Sequence, residues 1–350
     1  MTHVRQMTAM RIVVIGAGIS GLACSERLTA AGHDVQLFDK ARGPGGRMST
    51  RRVELDHGTV AFDHAAQYFT ARHPDFIAQV TAWADQGLVA RWPEAGPEAW
   101  VGIPAMNVPI AAMAKQLTVA YSSHVTSLAS DGAGWHVTVQ GGQRHGPFDA
   151  AIVALPAEQA AAFLGAHDLA MASLAMSVRS QPCWTMLAAF DGPLPIAGDV
   201  IRHSGVLAWA ARNGSKPGRA PGEAWVVQAE GTWSHAQLEQ PAEAISQTML
   251  KALSELAGDA PMPALQHLSA HRWRYAMVRS AEHGALWNKT LRLGACGDWL
   301  LGPRVELAWR SGRQLAAAMA DDQPGASPSP PTRARRKAPA VARKNRAPAR

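Results

Sequence analysis

The run Gly16-Ala17-Gly18-Ile19-Ser20-Gly21 sets three glycines at GxGxxG spacing. Its chemistry is binding. Gly16 allows a tight turn, Gly18 lets main chain approach a pyrophosphate, and Gly21 lets a helix pack closely on a strand. Asp39, eighteen residues past Gly21, is placed to accept hydrogen bonds from ribose hydroxyls. Directly afterwards, Ala41–Met48 packs Gly43, Gly45 and Gly46 around Arg42 and Arg47. Flexible glycines beside a fixed, forked positive charge predict a second clamp on the pyrophosphate of a cofactor larger than a nicotinamide dinucleotide. Near the other end, Gly297-Asp298 offers a carboxylate for polyol hydroxyls at a strand-to-helix junction, where the helix dipole favours negative charge.

The elements that must position these groups are legible around them. Ile12–Ile15 reads as a strand buried on both faces, Leu22, Ala23, Leu28 and Ala31 as one helix face ending at Gly32, and Val35–Phe38 as a second strand, which makes a βαβ unit. Leu291–Ala295 reads as a strand, and Arg304–Met319 as a helix with Ala308, Ser311, Gly312 and Leu315 turned inward. Phe148–Pro156 is one more buried strand returning to the same sheet. Val125–Leu128 and Trp135–Gln140 alternate about Asp131-Gly132 as a β-hairpin, and a helix is predicted near Ala242–Leu256.

With 350 residues, 47% hydrophobic and 17% charged, the chain can bury a large core, and wholesale disorder is excluded. Of its 34 basic residues, eight lie in 323–350, so residues 1–322 carry 26 against 27 acidic residues and net −1, although the whole chain is +7. The Pro- and Ala-rich basic tail 323–350 is expected to be a disordered, solvated arm, and weak nucleic-acid contact attaches to it alone. Cys24, Cys183 and Cys296 are an odd three without a CxxC pair, which argues against a disulfide framework or a structural zinc. His57, His64 and His73 lack metal-ligand spacing, and no metal is expected. Ser204-Gly205 and Ser311-Gly312 lack the GxSxG setting of a hydrolase nucleophile, and no general-base motif stands out. Glycines interrupt Ile12–Cys24, so it is not a signal peptide, and no apolar run reaches the roughly 18–20 residues that span a bilayer. A soluble, cytoplasmic protein without membrane contact is expected.

The glycine fingerprint, Asp39-Lys40, Gly45-Gly46-Arg47-Met48 and Gly297-Asp298 together resemble the flavin-containing amine oxidase superfamily. More narrowly, the chain is similar to bacterial renalase-like enzymes from about residue 11 to 320. That resemblance rests on Asp63 with Ala66–Arg72, Trp100–Met106, Ala211–Pro217, His271–Ala276 and Arg304-Val305-Glu306. Ala65 departs from it, standing where the family motif has glycine in the loop that carries Gln67 and Tyr68.

The resemblance implies an α/β fold: a Rossmann-like FAD-binding domain with an interleaved α+β substrate domain. The first is assembled from 10–75, 106–156 and 288–320, the second from 76–105 and 157–287. It implies FAD held by Gly16, Gly18, Ser20, Gly21, Asp39, Lys40, Gly46, Arg47, Met48, Val125, Gly297, Asp298, Val305 and Glu306. The substrate pocket is expected at Gln67, Tyr68, Phe69 and Thr70, with Trp184, Asn213 and Trp273 from the substrate region. The implied reaction oxidises 2- or 6-dihydro isomers of NAD(P)H to NAD(P)+ by hydride transfer to the flavin, with O2 as acceptor giving hydrogen peroxide. No catalytic side chain is assigned, because hydride loss from a dihydropyridine leaves no proton to abstract. Two alternatives stand beside this one: an amine oxidase on the same frame, and a binding protein that keeps the fold without catalysis.

Overall fold

The structure, a computed structural model, describes residues 9–56 and 58–322. The expected arm 323–350 and His57 lie outside the described residues.

The βαβ unit forms as its pattern requires: β1 (Arg11–Ile15), α1 (Ile19–Ala30) and β2 (Asp34–Phe38). They sit in a six-stranded sheet whose order is Leu286–Asn288, Leu293–Ala295, Ala150–Val153, β1, β2, Thr118–Ala120. All pairings are parallel except the first. The continuous apolar run of β1 follows from burial on both faces. Ile12 and Val14 share a core with α1 and with the last helix, Val305–Asp321. Val13 and Ile15 point the other way, toward the small sheet formed by Val125–Ser130, Trp135–Val139 and Arg144–Phe148. The last helix lies directly on α1. A Cβ at Gly312 would sit 2.0 Å from the carbonyl oxygen of Ser20, so only glycine permits that approach.

The other half centres on a five-stranded antiparallel sheet, ordered Val200–Ser204, Leu207–Arg212, Glu223–Ala229, Ser180–Phe190, Leu265–Val278. Its two faces separate by residue parity. Trp184, Met186, Ala188, Trp225 and Val227 pack on the helix Ala242–Ser254 through Ile245, Met249 and Leu253. Leu187, Ala189, Ala224 and Val226 face the hairpin made by Arg51–Leu55 and Gly58–Phe62. This second face continues toward the glycine loops, where Cys183, Gln228 and Trp273 lie.

The domain boundaries differ from the expected ones. Helices Ala157–Leu164 and Leu169–Ser177 bury Ala157, Ala160, Leu164, Ala172 and Ala175 in one core with Val13, Ile15 and Val153, so they belong to the parallel sheet. Likewise Phe76, Val80 and Trp83, from Pro74–Asp85, share the core of α1. Both segments had been expected in the substrate half because they lie between sheet strands in sequence; their apolar faces decide otherwise. Among the described residues no helix is long and apolar enough to cross a membrane.

Candidate functional site

The glycine turn carries two different constraints. Gly16 has φ +106°, and a Cβ there would meet the Ala154 carbonyl oxygen at 2.5 Å. At Gly18 a Cβ would find nothing within 4 Å. The space beside Gly18 is a cavity that Ile19 and Ser20 also line. The Ser20 hydroxyl is buried and meets no protein oxygen or nitrogen at hydrogen-bond distance, with the Cys296 thiol as its polar neighbour. No side chain caps the start of α1. A helix N-terminus, open space against main chain and a buried hydroxyl fit an anionic pyrophosphate.

Asp39 does more than face a ribose. Its carboxylate accepts hydrogen bonds from the amides of Ala17 and Ala41, each at 2.7 Å, and so ties the two turns together. Carboxylate oxygens accept more than one bond each, so ribose hydroxyls can share them. Lys40 is exposed, and neither it nor Asp39 is among the residues lining the cavity.

Arg47 and Asp298 meet each other rather than acting separately. Arg47 Nη1 and Nη2 donate to the two carboxylate oxygens of Asp298 at 2.7 and 2.6 Å, and Nη1 also lies 3.3 and 3.4 Å from the carbonyl oxygens of Tyr275 and Ala276. Both side chains line the cavity with Met48, Gly297 and Val305. The second glycine loop closes over the first: a Cβ on Gly46 would be 3.6 Å from the Gly18 Cα. Gly297 is fixed from below, its amide donating to the Ser311 hydroxyl at 3.0 Å.

Cys183, Gln228 and Trp273 roof this cavity from the hairpin-side face of the antiparallel sheet. The Trp273 indole donates to the His64 carbonyl at 2.8 Å, and the Gln228 amide to the Ala65 carbonyl at 2.7 Å, pinning the roof to the loop below. Trp273, expected in the substrate pocket, lines this cavity. Trp184 does not: parity sends it to the opposite face, where its indole donates to the Gln237 carbonyl inside the core. Cys183 takes the cavity position, and burial pushes its thiol up to about 11. Neither Cys183 nor Gln228 was found from sequence; a two-residue period through Cys183-Trp184-Thr185 was the available signal.

Several expected pocket residues serve the structure instead. The Gln67 amide donates to the carbonyls of Asp63 and Ala65 at 2.5 and 3.2 Å and lies outside the lining. Tyr68 packs on Trp209 at 5.6 Å, and Phe69 sits in an aromatic core with Phe76 and Trp83 at 6.1 and 6.5 Å. Thr70 is half-buried outside the cavity. Asn213 bridges the Ala61 carbonyl and the Asp63 amide at 2.8 and 3.4 Å. Glu306 accepts the amides of Arg72 and His73 at 3.3 and 2.5 Å, which anchors that loop rather than a cofactor. Val125 packs in the core under the small sheet. Ala65 is accommodated in the loop without positive φ.

The sequence reading missed the charged cluster behind the pocket. Buried Asp63 accepts from Thr50 at 2.7 Å, Met106 N at 3.0 Å, Lys216 at 3.2 Å and Arg219 at 2.5 Å. Burial acts to raise its pKa, but the two cations and the hydrogen bonds prevail and hold the carboxyl well below the usual carboxylate range. Lys216 also donates to the Gln67 side-chain oxygen Oε1 at 3.1 Å, and burial draws its ammonium down to about 8. These charges cross more than 150 residues of sequence, so no local pattern pairs them. Beside the roof, His64 lies 5.1 Å from both His271 and Trp273. Burial first, with Arg51 nearby, lowers both imidazoles to about 4, so they are neutral at pH 7.

Comparison with known proteins matches the chain to the flavin containing amine oxidoreductase model over residues 89–320 and to an NAD(P)-binding Rossmann-like model over 14–81. A zeta-carotene-forming phytoene desaturase of Myxococcus xanthus is 54% identical over 44 residues, 13% of this chain and 8% of that protein. An L-glutamate oxidase precursor of Streptomyces diastatochromogenes is 42% identical over 80 residues, 22% of this chain and 12% of that protein. The matches thus span only a small part of those relatives. Among solved structures, a candidate protoporphyrinogen oxidase from Exiguobacterium sp. 255-15 superposes with a TM-score of 0.71 at 11% identity, covering 91% of this chain and 100% of that one. A putrescine oxidase bound to putrescine gives 0.63 at 14% identity over 90% and 100% of the two chains, a likeness of fold. With the family model matching more than half of its length, the chain belongs to the flavin containing amine oxidoreductases.

Proposed function

We propose that the protein oxidises dihydronicotinamide dinucleotides bearing the extra hydrogen at ring position 2 or 6, returning NAD(P)+. The observation that carries this reading is the cavity wall: among the described lining residues Trp273 is the only aromatic side chain, and none is a histidine. A single flat indole suits a single flat pyridine ring, whereas amine oxidation favours an aromatic cage. The carboxylate in the lining, Asp298, is paired with Arg47, and Asp63 outside it is locked between Lys216 and Arg219.

FAD supplies, when bound, a two-electron acceptor for the hydride, and O2 then takes those electrons with two protons to leave as hydrogen peroxide. In sum one dihydropyridine, one O2 and one proton give one pyridinium and one hydrogen peroxide. The protein's own part is positioning. Trp273, held by the His64 carbonyl, orients the substrate ring and keeps water from that side. Neutral His64 and His271 place no positive charge against the cationic product. Arg47, Asp298 and the start of α1 hold the cofactor's phosphate and polyol region.

The test mixes the yellow protein anaerobically with the two isomers, ordinary NADH and a panel of amines. Bleaching by the isomers is expected. Bleaching by amines and not by the isomers establishes an amine oxidase instead, and a colourless protein that takes up no FAD leaves neither.

A further inference from the structure

Arg51 is the cation for which the site so far has no use. It opens the strand Arg51–Leu55 and pairs directly across from Phe62. Side chains opposite one another in an antiparallel pair share a face, and Phe62 turns to the antiparallel sheet, 5.9 Å from the His267 ring. Val53 and Leu55, at two-residue steps from Arg51, pack on that sheet too. Arg51 therefore reaches toward the edge strand Leu265–Val278, while Arg52 faces the other way into a separate groove with Asn213 and Gln266.

Along that edge strand Trp273, His271, Ser269 and His267 stand on one face, about 7 Å apart at each two-residue step. The strand is the sheet's last, and this row runs from Trp273 at the cavity to His267 beside Phe62. All four are half-buried, and Arg51 is exposed. Among the described residues Arg51 has no ion pair and no side-chain hydrogen bond. The groups facing it are His64 from the loop and His267 and His271 from the edge strand, all with pKa values lowered partly by Arg51 itself. Asp63 lies behind them, already bound by two cations. One positive charge thus overlooks a row of neutral donors and acceptors without a counter-ion.

We propose that this row is the subsite for the pyrophosphate of a dinucleotide substrate, with Arg51 as its principal cation and the nicotinamide ring under Trp273. The assignment rests on the reading under Proposed function. Arg51 selects for the phosphate-bearing dinucleotide over the bare nucleoside, through binding and not through the hydride step.

Arg51→Gln in the FAD-loaded enzyme tests it, with Arg52→Gln as the control on the opposite face. Charge-assisted contacts to phosphate predict about a tenfold rise in KM for the 6-dihydro isomer of NADPH, with kcat nearly unchanged. The KM for the corresponding dihydronicotinamide riboside, which has no phosphate, stays the same. Calorimetric titration of the oxidised holoenzyme with ADP-ribose needs no turnover: about tenfold weaker binding is expected for Arg51→Gln, partial recovery for Arg51→Lys, and no change for Arg52→Gln. Equal ADP-ribose affinity in wild type and Arg51→Gln, or none in wild type, overturns the subsite. Arg51-dependent ADP-ribose binding without oxidation of either isomer keeps the subsite and removes the proposed reaction. Oxidation of the isomers with an unchanged KM in Arg51→Gln does the reverse.

Discussion

Arg47 and Asp298, 251 residues apart in sequence, are joined by two parallel hydrogen bonds of 2.7 and 2.6 Å. This pair fastens the second glycine loop to the junction before the last helix, and both side chains line the cavity proposed for the cofactor. Asp298 is 8% exposed and Arg47 32%, so removing either partner leaves a largely desolvated charge alone.

Asp298→Ala is therefore expected to weaken FAD binding more than tenfold and to lower apoprotein stability by about 2 kcal/mol. Arg47→Lys keeps the charge but loses the fork, and its effect should be intermediate. Flavin titration with urea unfolding of the apoprotein checks both. A fully flavinated, wild-type-stable Arg47→Lys would show that charge alone suffices.

Gly16 and Gly18 should fail for different reasons. At Gly16 an alanine meets the Ala154 carbonyl and an unfavourable φ, so Gly16→Ala should destabilise the apoprotein itself. At Gly18 the added methyl enters open space that a pyrophosphate is expected to fill. Gly18→Ala should leave apoprotein unfolding unchanged while FAD affinity drops at least tenfold. Equal loss of stability in both variants would contradict this division.

Trp184 and Trp273 lie on two strands that pair with each other, yet on opposite faces of the sheet. Trp184→Ala should cost about 3–5 kcal/mol in unfolding free energy, as expected for a buried aromatic, with the substrate KM of the surviving folded enzyme unchanged. Trp273→Ala should raise KM with a smaller stability loss. The reverse pattern would place the pocket on the helix-covered face.

These contrasts mark what was legible in the chain. Local patterns sufficed for the βαβ unit, since the run Ile12–Ile15, the glycines and Asp39 lie within 30 residues of one another, and each constrains its neighbours. The hairpin Val125–Ser130 with Trp135–Val139 was readable for the same reason. Pairings across the chain were not: neither Asp63 nor Gln67 gives a local sign of Lys216, nor Asp63 of Arg219. Trp184 was misplaced because tryptophan suits both a pocket and a core, and only strand parity separates them. Helices Ala157–Leu164 and Leu169–Ser177 follow a sheet strand in sequence, and which core they cover depends on packing that sequence order does not express.

The paired imidazoles predict a pH dependence of defined sign. Burial first, helped by Arg51, lowers His64 and His271 from 6.5 to about 4. Between those values the unfolded chain takes up protons that the folded chain refuses, so stability is fully present above about 6.5 and falls as pH drops toward 4. Asp63, with its depressed pKa, adds a loss of the same sign only below the ordinary carboxylate range. Urea midpoints at pH 7 and pH 5 for wild type and His271→Gln isolate the histidine share. Wild type should lose more stability than the variant over that interval, because glutamine cannot take up the proton in either state. Equal losses would mean that His271 titrates normally in the folded protein, and that it lies open to water instead of against His64 and Trp273.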